Sequence, residues 1–100
     1  MLYTINKSPL MFGNLKSVLR IAPAGDPILL YEDGVYAAVM GAASQDVIEQ
    51  ALGRHPVYAL RADLEARGLV SLNSLIDGIQ VIDYGGFVEL VEQHHVAPWL

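Results

Sequence analysis

Residues 28–31 read Ile28-Leu29-Leu30-Tyr31, an apolar run with no alternation. A strand with one face in water alternates apolar and polar residues, because successive side chains point to opposite faces. An unbroken run instead suits a strand covered on both sides, as in a parallel sheet. Glu32-Asp33-Gly34 closes the run. Residues 2–6, 57–60 and 79–82 also read as strands, and residues 96–100 add a short edge strand. The predicted sheet therefore has four to five strands.

Helical segments separate these strands. Ser8 is placed to cap a helix with Pro9 at its first position. Leu15, Val18, Leu19 and Ala22 follow at helical spacing, with Lys16, Ser17 and Arg20 on the other face. The stretch Pro23-Ala24-Gly25-Asp26-Pro27 ends that helix. Residues 35–40 are apolar and Ala-rich, enough for a helical turn or two. Ser44 is a cap for a helix through Leu52, with Asp46 near its positive end and Val47, Ile48, Ala51 and Leu52 as its buried stripe. Gly53 ends it and Pro56 prevents continuation. Residues 62–67 form a short helix in which Asp63 and Arg67 pair one turn apart, and Gly68 takes a left-handed cap. Residues 69–75 read as loop with a turn of helix. Asp83 caps a last helix with Phe87, Leu90 and Val91 inward and Glu89, Glu92 and Gln93 outward. Strands alternating with helices imply right-handed crossovers. The expectation is one α/β domain over residues 1–100, with a mainly parallel sheet and helices on both faces.

Composition limits what such a domain can do. Of 100 residues, 53% are hydrophobic and only 17% charged, against about 25% charged in typical soluble domains. Disorder requires the opposite balance. The longest charge-free stretch, residues 34–45, is too short for a membrane span of about 20 apolar residues. The opening residues show no basic start followed by a long apolar core, so no signal peptide is expected. A chain of this mass exposes roughly 5,600 Å². Covering that surface with so few ions predicts a sizeable apolar patch, and such patches mark lasting contacts with other chains. Net charge is −5, and the cations Lys7, Lys16, Arg20, Arg54, Arg61 and Arg67 are scattered along the chain. Direct grip on nucleic acid needs a basic field, so none is expected. There is no cysteine, which removes disulfides, thiolate metal sites and a cysteine nucleophile.

Few constellations carry chemistry. Ligands of parallel sheets bind at the carboxyl ends of strands, and Glu32, Asp33, Arg61 and Asp83 fall there. An enzyme or small-ligand reading makes Asp33, Arg61 and Asp83 its working groups, as acid and base or as magnesium ligands. The plainer reading, which the Asp33-Gly34 turn dipeptide favours, makes the acids caps and turn formers. Gly85-Gly86 opens the last helix, where Asp83 would repel an anion, so close backbone packing is the better reading. His94 and His95 are neighbours that point about 100° apart on a helix, and His55 precedes Pro56; all three are expected at the surface. Trp99, beside the chain end, is a candidate interface anchor.

Several segments together resemble the TusB/DsrH family. They are residues 1–9 (Met1-Leu2-Tyr3-Thr4-Ile5-Asn6-Lys7-Ser8-Pro9), 29–38, 57–69 and 82–90, followed by the terminal Trp99, in matching order along the whole chain. The resemblance implies a three-layer α/β/α sandwich related to the DsrE family. It implies a place in a heterohexamer with homologous TusC-like and TusD-like subunits. That complex takes persulfide sulfur from a TusA-like carrier and passes it through a TusE-like carrier toward 2-thiolation of the tRNA wobble uridine. The sulfur-carrying cysteine of the family belongs to the TusD-type subunit, so this chain is expected to be a non-catalytic subunit in the cytoplasm. No cofactor, resident metal or catalytic residue is implied. Partner contacts are expected at Ser8, Pro9, Asp33, Gly34, Val35 and Trp99. The DsrH branch, which serves dissimilatory sulfur oxidation, often has a cysteine in its first helical region. Residues 14–22 hold none here, which favours the tRNA-modification branch.

Overall fold

A computed structural model describes residues 1–9, 13–69 and 74–99, with Trp99 described by its main chain. Its elements in chain order are β1 (Leu2–Ile5), α1 (Asn14–Ile21), β2 (Ile28–Leu30), a 3-10 helix (Glu32–Ala38), α2 (Gln45–Leu52), β3 (Val57–Leu60), α3 (Arg61–Ala66), β4 (Gln80–Ile82), α4 (Tyr84–Gln93) and β5 (Val96–Trp99). Every strand pairing is parallel, in the order β4-β3-β2-β1-β5.

That order dictates where the helices lie. From β1 to β4 the chain steps one strand at a time in one direction, so right-handed crossovers put those connections on a single face. The step from β4 to β5 runs back across the sheet, so its helix must cover the opposite face. The side chains sort accordingly. Tyr3, Ile5, Ile28, Leu30, Val57 and Ala59 point to the first face and share a core with Leu15 and Val18 of α1, Ile48 and Ala51 of α2, and Leu64 of α3. Leu2, Leu29, Tyr58 and Ile82 point to the second face and meet Phe87 and Leu90 of α4. This is the three-layer sandwich, with a helix-rich layer on one side and α4 on the other. All three residues of β2 are buried, as its unbroken apolar run requires.

One close approach fixes the carboxyl end of the sheet. A Cβ at Gly34 would overlap the Ile5 carbonyl group, so the 3-10 helix rests directly on the β1 backbone. The same carbonyl accepts the Tyr31 N–H at 3.1 Å. Seated this way, the helix buries Val35, Ala37 and Ala38.

Several local expectations change. The first helix begins at Asn14, with Gly13 at its cap position, so Ser8 and Pro9 precede it by a turn and do not start it. Glu32-Asp33-Gly34 does not merely close β2; it is the first turn of the 3-10 helix. Ser44 occupies the cap position of α2, but its hydroxyl is buried without a partner among the described residues and makes no cap bond. Gly53 ends α2 in right-handed conformation, at φ −71°, whereas Gly68 does take the left-handed one, at φ 68°. His55 is only 4% exposed; its Nδ1 lies 2.8 Å from the Asp26 carbonyl, tying together two loops at the amino end of the sheet. Residues 70–73 of the expected loop, and Leu100 of the expected edge strand, lie outside the described residues.

Replacing Gly34 tests the seat of the 3-10 helix. Gly34→Ala is expected to cost about 3 kcal/mol, because backbone has to move to admit the methyl group. Gly13→Ala, with nothing within 4 Å of the added carbon, stays within about 1 kcal/mol. Urea unfolding midpoints of the two variants make the comparison.

Candidate functional site

The carboxyl ends of the strands deliver Ser8 and Pro9 after β1, Glu32 to Val35 after β2, Arg61 at the end of β3 and Asp83 after β4. Here the sequence-expected residues acquire definite partners. Arg67 Nε and Nη2 both donate to Asp33 Oδ1, at 3.0 and 2.9 Å. Arg67 Nη1 donates to the Asp63 carbonyl at 3.1 Å and stands 3.8 Å from Asp63 Oδ1. Asp63 Oδ2 in turn accepts the Glu32 N–H at 2.7 Å. Glu32 has φ 48°, a left-handed conformation that costs a residue with a Cβ about 1 kcal/mol. The Asp63 carboxylate holds it there. The sequence expects the Asp63–Arg67 pair; the reach of Arg67 across to Asp33 is a product of the fold.

The catalytic reading of Asp33, Arg61 and Asp83 loses its geometry. Asp33 is held by Arg67. Asp83 Oδ1 accepts the Gly86 N–H at 2.8 Å, the cap bond of α4. Arg61 is exposed and pairs with neither acid among the described residues. Gly86 explains the glycine pair: a Cβ there would come within 3.0 Å of Ile82 Cβ. Among the described residues, no group of three or more His, Cys, Asp and Glu side chains is placed to hold a metal ion.

The more informative surface is the outer side of α4. Tyr84, Val88 and Val91 are 62%, 50% and 39% exposed. Spaced at i, i+4 and i+7, they make one stripe along the helix. Val91 therefore faces outward, contrary to its expected place beside Phe87 and Leu90. The spacing of Tyr84, Val88 and Val91 is itself the sequence signal for this face. Glu89 and Glu92 are exposed nearby. With Phe87 and Leu90 packed on the sheet, α4 is apolar on both sides, and a helix with that pattern is ordinarily buried. The stripe supplies the surplus apolar surface that composition demanded.

The expected partner contacts fall in three groups. Ser8 and Pro9 are half-buried and Asp33 is exposed, all near the strand ends. Gly34 and Val35 are buried on the inner side of the 3-10 helix. Trp99 pairs through its main chain with Ile5 at the edge of the sheet.

Comparison with known proteins fits this architecture. The family described as DsrH like protein matches residues 7–97. Protein TusB of Serratia proteamaculans (strain 568) is 45% identical over 96 residues, covering 94% of each chain. Protein TusB of Escherichia coli (strain K12) is 39% identical over 94 residues, again covering 94% of each. Among solved structures, the ychN protein from E. coli superposes with TM-score 0.77 at 16% identity, over 97% of this chain and 96% of that one. A protein of unknown function from Methanobacterium thermoautotrophicum superposes with TM-score 0.72, also at 16% identity, with the same coverage. Identities this low speak for the fold alone.

The cap of α4 is open to direct test. Asp83→Ala is expected to lower stability by about 1 kcal/mol, and Asp83→Ser, which can accept the same bond, by much less. Thermal unfolding followed by circular dichroism reads both.

Proposed function

The chain belongs to the DsrH-like family, and from that premise we propose that it is a TusB-type subunit of a sulfur-relay complex serving 2-thiolation of the tRNA wobble uridine. The observation that carries this reading is the match, over 94% of its length, to proteins named TusB. The TusB name of these relatives favours tRNA modification over sulfur oxidation.

The chemistry assigns the chain a supporting part. In a persulfide relay, a thiolate attacks the outer sulfur of a persulfide; the sulfur–sulfur bond breaks, the donor leaves as thiolate and the acceptor becomes the persulfide. Each station needs a cysteine, and this chain has none. Its contribution is to assembly. TusC-like and TusD-like chains are its partners in a heterohexamer, with the sulfur-bearing cysteine on the TusD-like subunit. TusA-like and TusE-like carriers reach the chain only through that complex. Its place is the cytoplasm, where tRNA is modified; no described helix is long and apolar enough to cross a membrane.

Contact with the partners runs along the Tyr84, Val88 and Val91 stripe and around Ser8, Pro9, Asp33 and Trp99, with Gly34 and Val35 shaping the rim from beneath. An apolar stripe on an otherwise acidic helix suits burial against another subunit better than permanent exposure to water.

Two experiments test this. Deleting the gene is expected to abolish 2-thiouridine at the tRNA wobble position, measured by nucleoside mass spectrometry, and a plasmid copy restores it; unchanged thiolation would refute the reading. Co-expressed with TusC-like and TusD-like chains, the protein is expected to co-purify. Val88→Asp or Trp99→Ala then weakens assembly by about 2 kcal/mol, roughly thirtyfold, while unfolding midpoints move much less. Equal loss of folding and assembly would remove the proposed contacts.

A further inference from the structure

Three of the six basic side chains, scattered in sequence, come together in space. Lys16 and Arg20 lie one turn apart on the exposed side of α1, and Arg54 follows the end of α2. All three line a single groove of about 670 Å³ together with Leu19, Val47 and Gln50. No carboxylate is among these lining residues. Among the described residues, the three cationic side chains form no ion pair, unlike Arg67, which is committed to Asp33 and Asp63. Half of the basic side chains of a chain with net charge −5 thus converge on one concave surface. Leu19 and Val47 are half-buried, so its floor is apolar.

We propose that this groove docks an acidic, amphipathic segment of a partner protein, whose carboxylates pair with Lys16, Arg20 and Arg54 while its apolar side chains cover Leu19 and Val47. Charge complementarity selects the occupant. A nucleic acid would find the same cations, but its backbone would extend past them over a surface holding eleven acidic residues against three remaining basic ones. Among the described residues, none of the side chains lining the groove is an aromatic on which a base could stack. A short segment concentrates its charge where the cations are and brings apolar groups that a phosphate backbone lacks. The site lies on the α1 and α2 face, across the sheet from the α4 stripe, and the inference stands independently of the relay reading.

The test uses the full chain and a labelled helical peptide of about 12 residues, about 18 Å long, with Glu and Leu on opposite faces. Controls are the same peptide with Gln for Glu and an RNA oligonucleotide of matching charge. Fluorescence anisotropy is expected to show binding of the Glu peptide that is at least about tenfold tighter than either control and that weakens from about 50 to about 300 mM salt. Arg20→Glu with Arg54→Glu is expected to reduce that affinity at least about tenfold, and the milder Arg20→Gln with Arg54→Gln to fall between. Arg61→Glu, the same charge reversal at a single position away from the groove, leaves it within about twofold. Equal binding of the Gln peptide or of the RNA overturns the proposal, as does an equal loss with Arg61→Glu.

Discussion

The Ile5 carbonyl group carries two responsibilities at once. It accepts the Tyr31 N–H at the end of the β1–β2 ladder, and it is the floor on which Gly34 rests. No other residue type leaves room for that contact. Through it the 3-10 helix is laid flat over the carboxyl end of the sheet, so Val35, Ala37 and Ala38 enter the core. The same placement turns Glu32 into its left-handed conformation and carries Asp33 within reach of Arg67. The acidic residues at the strand ends therefore form a clasp, in which Arg67 and Asp63 fasten the β2 exit to α3. A surface clasp of this kind contributes little to global stability, since exposed ion pairs are weak; its effect is to hold one loop in one shape.

The two faces of the sheet are unequally dressed. Three helices and the 3-10 segment cover the first face, while α4 covers the second. A lone covering helix has its outer side available, and here that side presents Tyr84, Val88 and Val91 rather than a fully polar surface. Such a stripe on the only described helix of that face is apolar surface that water wets poorly and that a neighbouring chain can cover.

Charge is divided just as unevenly. The acids dominate the surface, and three cations gather between α1 and α2 on the face away from α4. The sheet thus separates an apolar surface from a basic one. A partner seated on either leaves the other open, which is the geometry a subunit needs if it both assembles and docks a second protein.

Much of this was legible in the residues alone. The run at 28–31 announced a doubly covered strand, helical spacing located α1, α2 and α4, and Asp83 stood three residues before the N–H it caps. These are local properties, set by the period of apolar residues and by cap chemistry within a single turn. The chain could not reveal that Gly34 meets Ile5, that Asp33 belongs to Arg67, that His55 is buried, or that Lys16, Arg20 and Arg54 share a groove. Each joins positions about 30 residues apart in sequence. Such pairings follow only from strand order and crossover handedness, which bring distant segments side by side. Apolar pattern and composition determined the layers and the surplus of apolar surface; the tertiary arrangement alone decided which face keeps that surplus and where the charges meet.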